Sequence, residues 1–371
     1  MIYLDHAATT PLRAEALDAM LPYFSERFAN ASSGYAPARD ARRAMDVARA
    51  QVASAIGARN SEIYFTSGGS EADNWAIFGI ASANPEKKHI ITTKIEHHAV
   101  LHACQALERR GYTITYLDVD SQGCVSAESF EQAIRPDTLL ASVILANNEV
   151  GTIEPIAQLS RIAHANDVLI HTDAVQAVGH IPVNVDALDI DMLSMSGHKF
   201  GGPKGCGALY VRSGTRIDNL IYGGAQERTM RAGTENVPAI VGMGKAIEIS
   251  VQNMAADGLK TSSLRNELEL CLLRLGGIRV NGAKDKRLPG HLHVSIMDAN
   301  TQMLLMQLDM AGIAASAGSA CSSGAAQRSH VIQAMGLAGD RQADIRFSLG
   351  AENTREEIAA VESVLRRILK R

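Results

Sequence analysis

The first two thirds of the chain alternate between short apolar segments and longer segments with helical spacing of apolar residues. Short β-rich segments are typical of buried strands, whereas apolar residues every three to four positions are typical of helices. This alternation indicates parallel strands joined by crossover helices, with a ligand site beyond the carboxyl ends of the strands. We predict strands at Ile63–Thr66, His89–Thr93, Thr113–Leu117, 140–146, 168–172, Met192–Ser196 and 208–211, and helices at Ala36–Ile56, 71–80, 101–110 and Ile156–His164.

The pattern changes after about residue 231. A long helix-rich stretch covers residues 238–275, and short strands are expected near residues 278–280 and 292–296. A final helix is predicted to follow Thr354, because the Thr354 hydroxyl and the Glu357 carboxylate have the spacing of a capping box. The pattern therefore favours a large first domain of the α/β class and a smaller C-terminal domain.

Composition excludes several classes of protein. The 371 residues are 46% hydrophobic, which is ample for a packed core, and the net charge of −4 argues against direct binding of nucleic acid. The longest apolar run, residues 139–146, is far too short to cross a membrane, and no export signal is visible at the N-terminus. The five cysteines are scattered without a C-x-x-C motif, so we expect a soluble cytoplasmic protein in a reducing compartment, without membrane contact.

A lysine follows one of the predicted strands. Lys199 stands after Met192–Ser196, with Ser196 and His198 beside it and glycines beyond. A lysine in a partly desolvated site has a lowered pKa, and its free amine can form a Schiff base with an aldehyde. A solvated loop lysine beside turn-forming glycines fits this segment equally well. The chain contains neither a Walker A motif nor a G-x-G-x-x-G motif.

Other polar residues also stand at predicted strand ends. Asp173 could hold a heteroaromatic ring nitrogen in its protonated form, with Gln176 one turn later placed for a ring oxygen; alternatively, Asp173 caps the helix that follows. Gly69 and Ser70 lie between a predicted strand and a predicted helix, where exposed N–H groups and the helix dipole can form a phosphate-binding site. A tight turn between strand and helix would need the same glycines.

Histidines and amides complete this set. His98 and His102 have the spacing to share a helix face, but the segment is not H-E-x-x-H and lacks a third ligand, so we expect no metal. A flat His97 ring stacking on a bound ring is the better functional use. Asn148 follows the next strand, so these residues all fall at consecutive strand ends. Together they predict one cofactor site, although each feature alone is weak.

These motifs, in this order, resemble the fold-type I pyridoxal-phosphate enzymes, and more narrowly the cysteine desulfurases of the NifS/IscS-like class-V aminotransferase family. The resemblance implies pyridoxal 5'-phosphate as cofactor and a homodimer. It also implies a large cofactor-binding domain over residues 16–244, with a mixed, mostly parallel sheet sandwiched by helices. A smaller α+β domain would combine residues 1–15 and 245–371. The resemblance runs nearly end to end, through residues 3–11, 66–74, 96–97, 147–151, 172–176, 196–199, 223–228, 231–236, 318–321 and 346–350.

The resemblance also implies a role for each matching residue. Lys199 would hold the cofactor covalently and remove the substrate's Cα proton, and His97 would stack on the ring and assist proton transfer. Arg346, with its bidentate fork, and Asn148 would hold the substrate carboxylate. The remaining positions would bind the cofactor: Asp173 at the ring nitrogen, Gln176 at the ring hydroxyl, Gly69, Ser70, Ser196 and His198 at the phosphate, and Thr234 at the phosphate of the neighbouring subunit.

Cys321 distinguishes a desulfurase from a transaminase. A free cysteine is usually a small buried residue, and we favour that interpretation for Cys104, Cys206 and Cys271. Small residues surround Cys321, which leaves little to bury it, so an exposed and mobile thiol is expected. The resemblance implies that Cys321 takes the sulfur of L-cysteine as a persulfide, leaving L-alanine. The sulfur would then pass to an acceptor protein, either an iron–sulfur scaffold or an enzyme that thiolates tRNA or a cofactor.

Two other functions fit parts of the sequence. A selenocysteine lyase or another class-V aminotransferase-like enzyme would share the cofactor site, but Cys321 and its surroundings argue against it. A non-catalytic α/β binding protein would keep only the fold, and the combination of Lys199, Asp173, His97 and Arg346 argues against that. The sequence departs from the usual family pattern at Ala31 and Tyr35, and Ser70 stands where threonine is commoner.

Overall fold

A seven-stranded sheet forms the centre of the computed structural model, which describes residues 1–318 and 328–370. Its strands are β2 (Ile63–Thr66), β3 (His89–Thr93), β4 (Thr113–Leu117), β5 (Thr138–Ser142), β6 (Leu169–Asp173), β7 (Met192–Ser196) and β8 (Gly207–Val211). They lie in the order β2-β8-β7-β6-β5-β3-β4. Strand β8 is antiparallel to both of its neighbours, and the other pairs are parallel. The predicted mixed, mostly parallel sheet is confirmed.

Helices surround this sheet and continue into the C-terminal part. The element that links the two parts is the longest helix, of 38 residues, from Val237 to Arg274. The helices are α1 (Ala14–Met20), α2 (Pro22–Ser25), α3 (Ala36–Ile56), α4 (Gly69–Ala83), α5 (His98–Glu108), α6 (Ala127–Ala133), α7 (Ile156–His164), α8 (Val185–Leu188), α9 (Val237–Arg274), α10 (Thr301–Met310), α11 (His330–Ala334) and α12 (Arg355–Leu369). Short 3-10 turns occupy Asn60–Glu62, Gly197–Lys199 and Glu227–Thr229.

Local capping explains where several helices begin and end. Helix α3 ends because Gly57 takes up a left-handed conformation, with φ of 70°, which glycine adopts without steric cost. Helix α12 begins after Thr354, whose side chain accepts from the Glu357 N–H while the Glu357 carboxylate accepts from the Thr354 N–H. The capping box predicted there is confirmed.

A second, antiparallel sheet lies in the C-terminal part. It contains β9 (Ile278–Asn281), β10 (His291–Met297) and β12 (Gln342–Ser348), with β10 in the middle. The N-terminal strand β1 (Ile2–Tyr3) pairs in parallel with β11 (Ile313–Ala314), and Leu4 packs in the C-terminal hydrophobic core. This packing places the first residues beside the C-terminal part, while the boundaries at residues 15 and 244 stay predictions.

One strand ends earlier than the sequence pattern suggests. We predict a strand over residues 140–146, but β5 ends at Ser142. The Ile144 N–H donates to the buried Glu96 carboxylate at 2.9 Å instead of to a neighbouring strand. Residues 143–146 are buried, and beyond the end of β5 the N–H groups of Val143 and Leu145 still donate to carbonyl oxygens of β6, at 3.1 and 2.9 Å.

The cysteines within the described ranges follow the predicted burial. Cys104, Cys206 and Cys271 are buried, and Cys124 is half-buried. Burial raises the pKa of Cys104 and of Cys206 to about 12, so both thiols stay protonated and unreactive at neutral pH. Of the helices in the described ranges, none combines the length and apolar character needed to cross a bilayer.

Candidate functional site

A cavity of about 240 Å³ lies at the carboxyl ends of β6 and β7. The polar residues that follow the parallel strands lie together here, because ligand sites of such sheets form beyond the carboxyl ends of the strands. The cavity brings together most of the predicted site residues. Its lining includes Gly69, Ser70, His97, Asn148, Asp173, Gln176, Ser196, His198, Lys199 and Arg346.

Lys199 reaches this cavity from the 3-10 turn that follows β7. Its Nζ atom donates to the carbonyl oxygen of Ala7 at 2.6 Å and to that of Ala8 at 2.9 Å. The N-terminal segment therefore holds the amine against the cavity wall. The same Ala7 carbonyl accepts from Nε2 of Gln176 at 2.9 Å, so Lys199 and Gln176 share one anchor.

Asp173 is the last residue of β6 and is buried in the cavity wall. Burial raises its pKa to about 6, against the opposing effects of a hydrogen bond from the Val175 N–H and of the positive charge of Lys199. At neutral pH, Asp173 is therefore an anion in a largely water-free place. Such a carboxylate can keep a proton on a facing ring nitrogen.

The start of α4 forms a small cradle. Gly68 has a φ of 153°, which side-chain-bearing residues rarely adopt, and it turns the chain from β2 into the helix. A Cβ atom on Gly69 would lie 2.7 Å from Cγ2 of Val175, so only glycine lets Val175 pack this close to the start of α4. Ser70, Ser196 and His198 line the adjoining groove. A helix N-terminus with hydroxyl groups beside it suits a phosphate group.

His97 caps the N-terminus of α5 and lines the cavity. Burial, with the nearby Lys199 charge, lowers its pKa to about 4, so the ring is neutral at physiological pH. Its Nδ1 atom accepts from the Ala99 N–H, which leaves the ring proton on Nε2.

One group in the cavity has the residue types of a metal site. A ring nitrogen of His97 and one carboxylate oxygen each from Asp73 and Asp173 lie within 4.8 Å of one another. However, a metal-bound histidine must offer a nitrogen lone pair, and in His97 one nitrogen accepts from Ala99 and the other holds the proton. The tautomer therefore opposes metal binding by this group.

Arg346 lies on β12 and is 2% exposed, yet its guanidinium faces the cavity. Nη1 donates to the carbonyl oxygens of Asn148 at 2.8 Å and Gly318 at 2.5 Å, and Nη2 donates to Oδ1 of Asp5 at 2.7 Å. These contacts draw three distant segments together at one cation. The fork is placed where it can bind a carboxylate that enters the cavity.

Two predicted site residues are not in this group. Thr234 is exposed and is absent from the cavity lining. Its segment is anchored beside the start of α4 because Arg231 forms a two-point ion pair with Glu71, at 2.7 and 2.9 Å. Cys321 falls in residues 319–327, which lie outside the described residues.

The structure also adds residues that the sequence analysis did not single out. Asp73 and Glu149 line the cavity and are buried, and His330 lines it beside His97 and His98. Asp73 had a usable signal, since it follows Gly69 by four residues and so shares its helix face. Glu149 and His330 had no such signal in the sequence. They meet because the Ser329 hydroxyl, next to His330, donates to the Glu149 carboxylate, and these two residues are 180 positions apart.

Comparison with known proteins gives a consistent result. The Aminotransferase class-V family matches residues 2–361. A cysteine desulfurase IscS of Methanosarcina thermophila is 49% identical over 372 residues, covering 100% of this chain and 92% of the relative. One of Clostridium botulinum is 49% identical over 374 residues, covering 100% and 94%. The solved structure of a NifS-like protein is 38% identical, covers 100% of this chain and 99% of its own, and has a TM-score of 0.94.

Proposed function

The chain belongs to the Aminotransferase class-V family, and on this premise we propose that it takes sulfur from L-cysteine, releases L-alanine and passes the sulfur on through Cys321. The expected identity as a NifS- and IscS-like cysteine desulfurase, the enzyme class and the pyridoxal 5'-phosphate cofactor are confirmed by its relatives. The alternative of a selenocysteine lyase or another class-V enzyme is not favoured by them.

One observation carries the residue-level proposal. Lys199, Asp173, His97 and Arg346 come from four separate segments and line a single cavity of about 240 Å³. The cavity fits the cofactor at both ends: Asp173 is a buried anion, and at the start of α4 Ser70, Ser196 and His198 line a groove beside a helix N-terminus. An aromatic cofactor with a basic ring nitrogen and a phosphate matches these two features.

Each cofactor-binding residue has a definite task. Pyridoxal phosphate, when bound, supplies an electron sink that stabilises negative charge at the substrate's Cα. Asp173 would hold a proton at the ring nitrogen, Gln176 would donate to the ring hydroxyl, and the neutral His97 ring would stack on the cofactor. Lys199 binds the cofactor and moves the proton at Cα. Gly69, Ser70, Ser196 and His198 would hold the phosphate, and Thr234 would reach the phosphate in a partner subunit of a homodimer.

Arg346 and Asn148 orient the substrate. The guanidinium already binds three oxygens, those of Asp5, Asn148 and Gly318. A substrate carboxylate would replace one of the carbonyl oxygens, because a charged acceptor forms a stronger hydrogen bond to arginine than a neutral one. The bound carboxylate then fixes the direction of the substrate's side chain.

Cys321 receives the sulfur in this proposal. Its thiolate forms a sulfur–sulfur bond with the substrate sulfur while the carbon–sulfur bond of the substrate breaks. The carbon keeps that electron pair, takes up a proton and becomes the methyl group of alanine. Cys321 is left as a persulfide, and the outer sulfur passes to an acceptor protein in the cytoplasm, either an iron–sulfur scaffold or a thiolation enzyme.

Incubation with L-cysteine tests the whole proposal. We expect stoichiometric formation of alanine with sulfide when a thiol reductant is present, and mass mapping should find one added sulfur atom on Cys321. Cys321→Ala should keep the visible absorption of the bound cofactor but lose sulfur release, whereas Lys199→Ala should lose both the covalent adduct and the activity. Sulfur mapped to another cysteine, or unchanged activity in Cys321→Ala, would overturn it.

A further inference from the structure

Asp73 has an unusual position for a carboxylate. It lies on α4, one turn after Gly69, lines the cavity and is 1% exposed. Within the described part of the chain, its Oδ1 atom has no hydrogen-bond partner. Buried polar atoms are nearly always paired, so this oxygen needs a physical explanation.

A second acid lies close by. One oxygen of Asp73 and one oxygen of Asp173 are within 4.8 Å of each other. Two ionised carboxylates at this separation repel strongly when both are shielded from water. The two acids therefore cannot both carry a charge unless a cation lies between them.

The groups that face Asp73 do not provide that cation. Nε2 of His171 is 3.8 Å from Oδ1 of Asp73, but complete burial lowers the pKa of His171 to about 3, so this ring is neutral. The Ser194 hydroxyl, which favours the charged form of Asp73, lies 2.9 Å from Nε2 of His171. His97 is neutral as well, and Glu96 adds a further acidic group.

The proton is unequally divided between the two acids. Burial first, and then the charge of Asp173, raise the pKa of Asp73 well above its ordinary value, with only Ser194 acting clearly against them. The pKa of Asp173 rises only to about 6, because the Val175 N–H and the Lys199 charge stabilise its anion. Asp73 is thus the acid that holds a proton.

We propose that Asp73 is a positioning residue that remains protonated, so that the Asp73–Asp173 pair presents one negative charge, located on Asp173, to the cofactor site. This inference rests on the proposed function, since pyridoxal phosphate would bind beside Asp173. One carboxylate charge balances one proton on the ring nitrogen, and a second would be left unbalanced in a buried place. Ser194, His171 and Ser142 form a hydrogen-bonded row across three neighbouring strands beside Asp73, and this row adds no cation.

Asp73→Asn tests the protonation state, because an amide has the size of the neutral acid and cannot ionise. In the unfolded chain Asp73 ionises with a pKa of about 3.9. Its folded pKa is higher, so its contribution to stability is complete below the unfolded pKa and is lost as pH rises toward the folded pKa. The melting temperature of the wild-type chain should therefore fall relative to that of the variant, by about 2 °C per pH unit above roughly pH 5.

A control and an independent measurement support the comparison. Asp18→Asn makes the same chemical change on the exposed face of α1 and should leave the pH dependence unchanged. Burial also raises the pKa of Glu96, so the test is the infrared difference spectrum between wild type and Asp73→Asn at neutral pH, which should show the loss of one neutral carboxylic acid band. Asp73→Ala replaces the amide variant if the latter does not fold. A pH-independent difference in melting temperature, or an unchanged infrared band, contradicts the proposal.

Cofactor binding gives the functional outcome. The Asp73→Asn variant keeps the single negative charge on Asp173. Its dissociation constant for pyridoxal phosphate should therefore stay within about threefold of the wild-type value. Weakening by tenfold or more would mean that Asp73 acts as an anion and would overturn the inference. If the wild-type chain itself does not bind pyridoxal phosphate, the proposed function fails instead, and the melting and infrared measurements still report the protonation of Asp73.

Discussion

The Nη2 atom of Arg346 lies 2.7 Å from Oδ1 of Asp5, a contact between residues 341 positions apart. The Arg346 side chain is 2% exposed and that of Asp5 is 18% exposed. The pair attaches the N-terminal segment, whose Ala7 and Ala8 carbonyls hold Lys199, to the strand that carries the substrate-binding arginine. Two functional residues therefore depend on the same short N-terminal segment.

Asp5→Asn should destabilise the fold. The substitution removes the charge that balances a buried guanidinium, and breaking a buried pair on one side is costly, here by about 2 kcal/mol of unfolding free energy. Urea denaturation measures the loss. Asp40→Asn breaks the exposed pair with Arg43 and should cost less than about 0.5 kcal/mol. Equal losses in the two variants would contradict the structural role of Asp5.

Arg346→Lys should impair substrate binding more than cofactor binding. Lysine keeps the positive charge but lacks the forked guanidinium, so its single ammonium group cannot contact Asp5, Asn148 and a substrate carboxylate at once. We expect kcat/KM for L-cysteine to fall about 30-fold, mostly through KM, while cofactor absorption is kept. Steady-state alanine formation measures this. Arg366→Lys on the exposed face of α12 serves as control, and a change below about threefold in Arg346→Lys would argue against its role.

Ser70→Ala should weaken cofactor binding. The hydroxyl stands at the start of α4 in the groove proposed for the phosphate, and a hydrogen bond to a charged group contributes about 1.5–3 kcal/mol. The dissociation constant of pyridoxal phosphate should rise by about tenfold or more, as measured by absorption titration. Ser82→Ala, at the far end of the same helix, removes a hydroxyl bonded to Asp218 and should have no effect. An unchanged affinity in Ser70→Ala would place the phosphate elsewhere.

His164 should make stability depend on pH. Burial opposes its protonation, but hydrogen bonds to Asp191 at 2.9 Å and Asp189 at 3.1 Å outweigh this effect and raise its pKa. The stabilisation is complete below the unfolded pKa of about 6.5 and is lost as pH rises through the folded pKa. His164→Gln should lose less than about 1 kcal/mol, on the acidic side only, because the ring is partly exposed. Urea unfolding at several pH values tests this, and a loss independent of pH would contradict it.

Local features of the site could be predicted from the sequence. Gly69, Asp173 and Lys199 stand at the ends of apolar strand patterns, so their place at one edge of a sheet follows from the parallel topology. The capping box at Thr354 needs only a spacing of three residues. The strand predicted over residues 140–146 ends early, because the carboxylate that accepts from Ile144 belongs to Glu96, 48 residues away.

The sequence by itself determined the fold class and the residue types of the site, because these follow from periodicity and from motifs within a few residues of one another, and the resemblance of those motifs to a known family implied the cofactor. Only the tertiary structure decided that Asp5 balances Arg346, that the Ala7 carbonyl anchors both Lys199 and Gln176, and that Asp73 lies beside Asp173. Such contacts join residues far apart in the chain, and their distances depend on strand order and on the packing of the N-terminal segment. Burial then decides which acid is charged, and burial is a property of the whole fold.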